Sequence, residues 1–276
     1  MLEFRSGLTL PAMLCRSCQH RWLTTTPEIQ HRIERAYGKH YTGFRIDERF
    51  KAVVAGELEH RLKRVKPPPG PMLDVGCGNG EFLALAVAAG YLAQGIDVSP
   101  TSSELCRSKG LSAVAGDFLS HDFGTRFGLI TMWDVMEHLR EPAEFVRRAY
   151  SLLDDSGVLV LKIPSKGALN FRLLRTFPRR GGTLLGAPNH IQFFTRRSLA
   201  KLLARAGFVE MMWLAHMRFR VRPKTRNLGK LIARGVSRAV AAAAADENLY
   251  VLANKLPFTP EIVASVTHRD IERLAP

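Results

Sequence analysis

The segment from Leu73 to Gly80 could hold a ligand through its backbone, because glycine stands at three alternate positions in Leu-Asp-Val-Gly-Cys-Gly-Asn-Gly. Glycine has no Cβ, so the chain can turn sharply there and a ligand can approach the main chain closely. Glu81 occupies the last position of the G-x-G-x-x-G spacing that nicotinamide enzymes use, and its carboxylate would repel a pyrophosphate. Asp74 precedes the glycines. The turn therefore favours a nucleoside that carries positive charge over a dinucleotide.

Two aspartates follow at spacings that suit the rest of a nucleoside. Asp97 comes 17 residues after Gly80, where a carboxylate can accept hydrogen bonds from both ribose hydroxyls, and Val98 follows it directly. Asp117 is placed to bond an adenine amino group, with Phe118 packed beside the ring. A capping or turn carboxylate is the alternative reading of Asp117.

Two histidines, His138 and His190, are candidates for acid–base chemistry. Histidine changes its charge near neutral pH, so it can take a proton from a reacting hydroxyl. A hydrogen-bonded structural histidine is the alternative for each.

These residues need a scaffold that brings them to one place. From Pro71 onward, short apolar runs alternate with helical patterns, which predicts a parallel sheet with crossover helices. The carboxyl ends of such strands meet at one edge, so the glycine turn, Asp97 and Asp117 should converge on one crevice. The predicted strands are 72–75, 92–98, 111–115, 127–133, 158–163, 209–214 and 248–253, and the predicted helices are 81–89, 100–109, 141–153 and 196–206.

Over about residues 70 to 255 the chain resembles the class I S-adenosylmethionine-dependent methyltransferases, with the glycine turn, the two aspartates and the final strand pair in family order. The resemblance implies an α/β, Rossmann-like, doubly wound sheet of seven strands, mostly parallel with an antiparallel last strand and helices on both faces. It also implies S-adenosyl-L-methionine as cofactor. The candidate cofactor-binding residues are Asp74, Gly76, Cys77, Gly78, Gly80, Asp97, Val98, Asp117, Phe118 and Asp134.

The segments Trp133 to His138 and His190 to Thr195 look like parts of small-molecule O-methyltransferases related to the ubiquinone-pathway enzymes. This resemblance implies methylation of a small-molecule or lipid- or glycan-linked hydroxyl. It would also permit a divalent cation on Asp134, Glu137 and His138, but adjacent residues rarely all face one point, so we expect no metal. An RNA methyltransferase and a noncatalytic binding module with the same fold are the alternatives.

The charge balance favours anionic partners. Lys and Arg number 40 against 25 acidic residues, a formal net charge of +15. Basic residues cluster at 172–180 and 218–230, and a solvated face is the simplest interpretation of both. For the second cluster, with the predicted helix after it, peripheral contact with an anionic membrane is the alternative. No aromatic-interleaved RNA module is recognisable, so nucleic acid is not favoured. With no disulfide framework and no membrane-spanning run, we expect a cytoplasmic protein that contacts a membrane at most peripherally.

The sequence predicts three parts. Residues 1–66 form a knuckle-like and helical extension, residues 67–256 the methyltransferase domain with insertions at 166–194 and 218–245, and residues 257–276 a tail helix. A Pro-Pro-Pro-Gly run marks the first boundary.

The four cysteines fall into two pairs with different expected roles. Cys15 and Cys18 look like half of a zinc knuckle, but a structural zinc site needs four ligands, and His20 or His31 would complete it only at irregular spacing. A degenerate or shortened knuckle is therefore favoured over zinc binding. Cys77 and Cys106 are expected to be small buried residues.

Overall fold

The computed structural model of the chain describes residues 2–3, 9–28, 62–165, 189–214, 247–257 and 259. Several predictions lie outside these residues: the helical extension between 29 and 61, the insertion at 166–194 up to residue 188, the insertion at 218–245, the basic clusters at 172–180 and 218–230, and the tail helix beyond 259.

Short antiparallel strands precede the main sheet. They are β1 (Leu2–Glu3) paired with β2 (Thr9–Leu10), and the hairpin of β3 (Ala12–Leu14) and β4 (Arg21–Leu23). The main sheet begins after the short helix α1 (Lys63–Val65).

The remaining described strands are β5 (Pro71–Val75), β6 (Leu92–Asp97), β7 (Ala113–Ala115), β8 (Phe127–Trp133), β9 (Leu153–Ser165), β10 (Gln192–Phe193), β11 (Glu210–Leu214) and β12 (Glu247–Asn254). All of them except β10 form the main sheet of seven strands, in the order β11-β12-β9-β8-β5-β6-β7. In this sheet β12 alone runs antiparallel to the rest, because it pairs antiparallel with both β9 and β11. The predicted sheet is therefore confirmed.

The helices begin and end at residues that suit those positions. Ser99 caps its helix by accepting from Ser102 N, and Thr195 forms a reciprocal capping box with Ser198. Gly207 ends the last helix at φ 109°. The helices are α2 (Glu81–Ala88), α3 (Pro100–Ser108), α4 (Pro142–Leu152) and α5 (Arg196–Ala206), with a 3-10 helix at Met136–His138.

Two apolar cores cover the two faces of the sheet, as alternation along the strands requires. In β9, Leu159 and Leu161 face one core with α4 and α5, whereas Val158 and Val160 face the other with α2. The prediction of helices on both faces is confirmed.

β9 is longer than predicted. The sequence indicated a strand from residue 158, but the structure continues it back to Leu153 through polar residues that resemble a turn. The register with β8 shifts between Phe127 and Leu129, and this irregularity accommodates the extra residues. None of the described helices is both long and apolar enough to cross a bilayer.

Candidate functional site

The glycine turn joins β5 to α2 and is fixed by the neighbouring strand. Gly76 N and Cys77 N both donate to the carbonyl oxygen of Ile96, at 2.8 and 3.2 Å. Gly76 has φ +71°, and a Cβ there would lie 2.6 Å from Val135 Cγ2. Gly78 and Gly80 also have positive φ. The backbone conformation and the space at Gly76 therefore both require glycine.

Asp97 ends β6 and ties two backbone segments together. Its Oδ2 accepts from Gly78 N and its Oδ1 from Ser99 N, each at 2.9 Å. Burial raises the pKa of this carboxyl, and the two backbone hydrogen bonds oppose the rise. A carboxylate oxygen can accept more than one hydrogen bond, so both oxygens retain acceptor capacity.

Val98 and Asp117 lie at the same edge of the sheet and are both exposed. The Val98 side chain is 64% exposed, an unusual state for an apolar residue beside a buried carboxylate. Asp117 accepts from Leu119 N at 3.1 Å and from Ser120 Oγ at 3.0 Å, so it also acts as a turn carboxylate.

Phe118 lies in the core rather than at the surface. It is 2% exposed, and its ring centroid is 5.4 Å from that of Phe145. Its contact with an adenine ring stays a prediction.

Asp74 lies beneath the turn. It is 2% exposed, and its Oδ1 accepts from Thr131 Oγ1 at 2.7 Å. Burial raises its pKa to about 7, and the Thr131 hydrogen bond opposes the rise. Asp74 therefore supports the turn from below, and its direct contact with a cationic ligand stays a prediction.

Asp134, directly after β8, begins the second half of the candidate site. It has φ 54°, which is uncommon for a residue with a Cβ, and Lys162 forms an ion pair with its carboxylate. Sequence reasoning missed Lys162, although a lysine inside the apolar run of β9 was an available signal. The carboxylate predicted to bind cofactor thus already neutralises a buried cation, and its contact with cofactor stays a prediction.

The structure brings the two predicted histidines together. The rings of His138 and His190 are 4.8 Å apart between centroids, at 78° to each other. His138 Nδ1 lies 2.9 Å from the carbonyl oxygen of Asn189. A carbonyl only accepts, so Nδ1 carries the proton and the basic lone pair lies on Nε2. Burial lowers the pKa of His138, which keeps its ring neutral near pH 7.

Glu137 completes this half. Its side chain is 1% exposed, and neither carboxyl oxygen has a hydrogen-bond partner among the described residues. Burial and the neighbouring Asp134 hold its pKa well above the ordinary value. Ligand atoms of Glu137, His138 and His190 lie within 4.8 Å of one another, and no other such group occurs in the described part of the chain. These three residues, rather than the Asp134, Glu137 and His138 set considered from the sequence, are spaced to hold a cation.

The N-terminal hairpin packs against the strand that follows His190. β4 pairs with β10, and His20 Nε2 lies 2.8 Å from Gln192 Oε1. Gln192 Nε2 donates to the carbonyl oxygens of Leu139 and Arg140, so it connects the hairpin to the loop after His138. These contacts hold the His190 segment between the hairpin and the loop after His138.

Cys15 and Cys18 lie in the turn of this hairpin and are partly exposed. A backbone hydrogen bond from Cys18 lowers the pKa of Cys15. His20 faces Phe194 and Gln192 instead, and within the described residues no third potential ligand groups with the two thiols. His31 lies outside the described residues.

Chemically, the candidate site has two unlike halves. In the first, the glycine turn, Asp97 and Val98 offer acceptors for hydroxyls beside an apolar surface. In the second, His138 offers a neutral imidazole suited to removing a proton, and the ring of His190 lies beside it.

Comparison with known proteins identifies relatives of this fold and sequence. The family described as a methyltransferase domain matches residues 46–210. The chain is 27% identical over 183 residues to the ubiquinone biosynthesis O-methyltransferase of Azorhizobium caulinodans, which covers 60% of this chain and 70% of that protein. The enzyme of the same name from Xanthomonas axonopodis pv. citri is 28% identical over 160 residues, or 54% of this chain and 67% of that protein.

Solved structures share the fold at low sequence identity. An S-adenosylmethionine-dependent methyltransferase from Archaeoglobus fulgidus has a TM-score of 0.52 at 18% identity, covering 74% of this chain and 94% of that one. Magnesium protoporphyrin IX methyltransferase from Synechocystis PCC 6803, solved with bound SAH, has a TM-score of 0.53 at 16% identity, covering 83% and 94%.

Proposed function

This chain belongs to the methyltransferase-domain family, and on that premise we propose that it transfers a methyl group from S-adenosylmethionine to a hydroxyl of a small-molecule acceptor. The two curated relatives are O-methyltransferases by name, which supports oxygen as the methylated atom. More specifically, we propose that the acceptor hydroxyl is carried by a lipid- or glycan-linked molecule.

The residues of the first half fit the cofactor. Asp97 has acceptor capacity for two ribose hydroxyls, and the exposed Val98 offers an apolar face for adenine. Asp117 is exposed at the same edge, where its carboxylate can accept from the adenine amino group. When bound, S-adenosylmethionine supplies a methyl group attached to a sulfonium. The neutral thioether that departs is a good leaving group.

The main structural support for O-methylation is the hydrogen bond between His138 Nδ1 and the Asn189 carbonyl oxygen. It fixes the tautomer in which Nε2 can accept the proton of an acceptor hydroxyl. His190 stands next to His138 and contacts the acceptor from the segment that Gln192 and the hairpin hold in place. The enzyme's remaining task is to align the acceptor and exclude water.

The basic clusters support peripheral contact with an anionic membrane. They lie outside the described residues, so the support is the net charge of +15 and the clustering at 172–180 and 218–230. Cosedimentation with vesicles containing about 30% anionic lipid should retain the protein at low salt and release it at high salt. Equal recovery with neutral vesicles would overturn this part of the proposal.

Calorimetry with S-adenosylmethionine, followed by methyl-transfer assays on a panel of phenols and quinols, tests the main proposal. We expect saturable cofactor binding and transfer to oxygen, and an absence of saturable binding would overturn the function.

A chelator distinguishes two roles for the histidines, as a base and as ligands of a cation. If EDTA abolishes turnover and magnesium restores it, Glu137, His138 and His190 hold a cation and His138 is not the base.

A further inference from the structure

The main chain around His138 is held by the segment at residues 189–192. The carbonyl oxygen of Asn189 accepts from His138 Nδ1 at 2.9 Å, and this contact orients the ring. Ile191 N donates to the carbonyl oxygen of Glu137 at 2.8 Å, and this contact fixes the main chain directly before the ring. The position of His138 therefore depends on a segment that comes 51 residues later in the chain.

Gln192 holds the main chain directly after His138. Its side chain is buried, and its Nε2 donates to the carbonyl oxygens of Leu139 at 2.9 Å and Arg140 at 3.3 Å. Both N–H groups of the amide are then used. The amide cannot be turned round, because its oxygen would then face two carbonyl oxygens. Gln192 Oε1 therefore points the other way, toward His20.

The fixed amide determines the tautomer of His20. Gln192 Oε1 only accepts, so His20 Nε2, which lies 2.8 Å away, carries the proton and donates it. His20 Nδ1 is then the unprotonated nitrogen, and it is buried without a hydrogen-bond partner among the described residues. The ring packs against Trp22 and Phe194, at 5.9 and 4.7 Å between centroids. Burial lowers the pKa of His20, which keeps its ring neutral near pH 7.

The hairpin of β3 and β4 thus reaches the loop after His138 through one chain of hydrogen bonds. The chain runs from His20 to Gln192 Oε1, and from Gln192 Nε2 to the carbonyl groups that follow His138. The hairpin backbone supports the same segment, because Leu23 N donates to the carbonyl oxygen of Ile191 at 2.9 Å. A change at His20 can therefore alter the geometry around His138.

We propose that His20 and Gln192 are positioning residues for methyl transfer, which keep His138 Nε2 within hydrogen-bond reach of the acceptor hydroxyl. In this role neither side chain contacts the acceptor. The proposal rests on the proposed function, because the position of His138 affects turnover only if His138 is the base. A displacement of about 1 Å can lower the rate of a reaction between positioned groups by about 100-fold.

Two substitutions at His20 separate its hydrogen bond from its packing. His20→Phe keeps a ring against Trp22 and Phe194 but cannot donate, whereas His20→Gln loses the ring and places an amide donor near the position of Nε2. We expect kcat to fall about tenfold in His20→Phe and to stay within about twofold of the unsubstituted chain in His20→Gln. The free energy of unfolding should follow the opposite order, because the packed ring stabilises the hairpin.

Gln192→Met tests the next link in the chain. The substitution keeps the size of the side chain but leaves the carbonyl groups of Leu139 and Arg140 without their donor, so kcat should fall about 100-fold. Adding His20→Phe should cause no further loss, because His20 acts through Gln192. Met13→Ala is the control on the same hairpin, where a side chain that is 46% exposed should not affect turnover. Calorimetry should show unchanged affinity for S-adenosylmethionine in every variant.

Hydrogen–deuterium exchange measures how firmly the loop is held, and it does not require turnover. Peptides that cover residues 137–140 and 189–192 should exchange faster in His20→Phe and Gln192→Met than in the unsubstituted chain. In His20→Gln their exchange should stay close to that of the unsubstituted chain.

The outcomes separate the two proposals. If the unsubstituted chain transfers no methyl group to oxygen, the proposed function is refuted, and the exchange data still decide whether His20 and Gln192 hold the loop. Unchanged exchange in both His20→Phe and Gln192→Met would overturn the positioning role. A larger loss of kcat in His20→Gln than in His20→Phe would show that turnover follows stability, and this result would also overturn it.

Discussion

The two halves of the crevice differ in how their polar groups are satisfied. On the cofactor side, both oxygens of Asp97 accept backbone N–H groups, and Asp74 accepts from Thr131. On the acceptor side, the oxygens of Glu137 have no hydrogen-bond partner among the described residues, and Asp134 has a left-handed conformation.

The difference indicates that one half binds the cofactor and the other takes part in proton transfer. A satisfied, backbone-held half is preorganised for a ligand that is the same in every turnover. Buried carboxyl oxygens that accept no hydrogen bond, together with two adjacent imidazoles, cost stability and are typical of sites where protons move. The comparison predicts that cofactor-side substitutions weaken binding, whereas acceptor-side substitutions reduce turnover.

The largest effect is expected at His138. His138→Ala should reduce turnover about a thousandfold, because it removes the base, and should leave cofactor affinity unchanged. His138→Asn is the matched variant, since its amide can still donate to the Asn189 carbonyl but cannot take a proton. Steady-state kinetics and calorimetry measure both quantities, and near-normal turnover in either variant would refute the role of base.

A substitution of Asp97 tests the cofactor half. Asp97→Ala should weaken S-adenosylmethionine binding about 100-fold, because it removes the ribose acceptor and leaves the N–H groups of Gly78 and Ser99 without their carboxylate. Asp117→Ala is the control at the same edge, and its exposed carboxylate should matter less. Equal losses of affinity in the two variants would contradict the assignment of Asp97, and circular dichroism should confirm that both remain folded.

A contact between the halves offers a third test. Gly76→Ala should lower the free energy of unfolding by about 2 kcal/mol, because the new Cβ meets Val135 Cγ2 and φ is +71°. Val135→Ala in the same chain should recover part of this loss, since it removes the clash but not the backbone strain. Denaturant titration of the two single variants and the double variant gives the coupling, and strict additivity would show that the halves do not touch there.

The last test concerns the pH dependence of stability. Asp74 has a folded-state pKa of about 7, above the unfolded value, so the folded state binds a proton more readily and stability falls as pH rises from about 4 to 7. The slope can reach at most about 1.4 kcal/mol per pH unit. Asp74→Asn should flatten it in thermal melts over this range. An unchanged slope would assign the pH dependence to other groups.

The cofactor half was largely predictable from the sequence. Local chemistry determines it: glycines with positive φ after a strand, a carboxylate at the next strand end, and a cap such as Ser99 before Pro100. Such signals depend on neighbours in sequence, so the positions of the strands and the place of Asp97 at the end of one of them followed from them.

The acceptor half was predictable only in its residue types. His138 and His190 were named, but the Asn189 carbonyl that fixes the tautomer and the Lys162 partner of Asp134 come from distant parts of the chain. The sequence also did not indicate that Asp74 and Phe118 are buried, and their contacts with the cofactor stay predictions. The contribution of each cofactor-site residue and the three-part division of the chain stay predictions.

The hairpin at the start of the chain has a practical consequence. Thr195 Oγ1 donates to the carbonyl oxygen of Cys18, and Lys201 Nζ donates to Ser17 Oγ, so the first helix after His190 is anchored to residues that precede the catalytic sheet by more than forty positions. A shortened version that starts near residue 62 would keep every strand beneath the cofactor yet lose this anchor. Screening such a truncation for substrates would then miss an acceptor that the longer chain methylates.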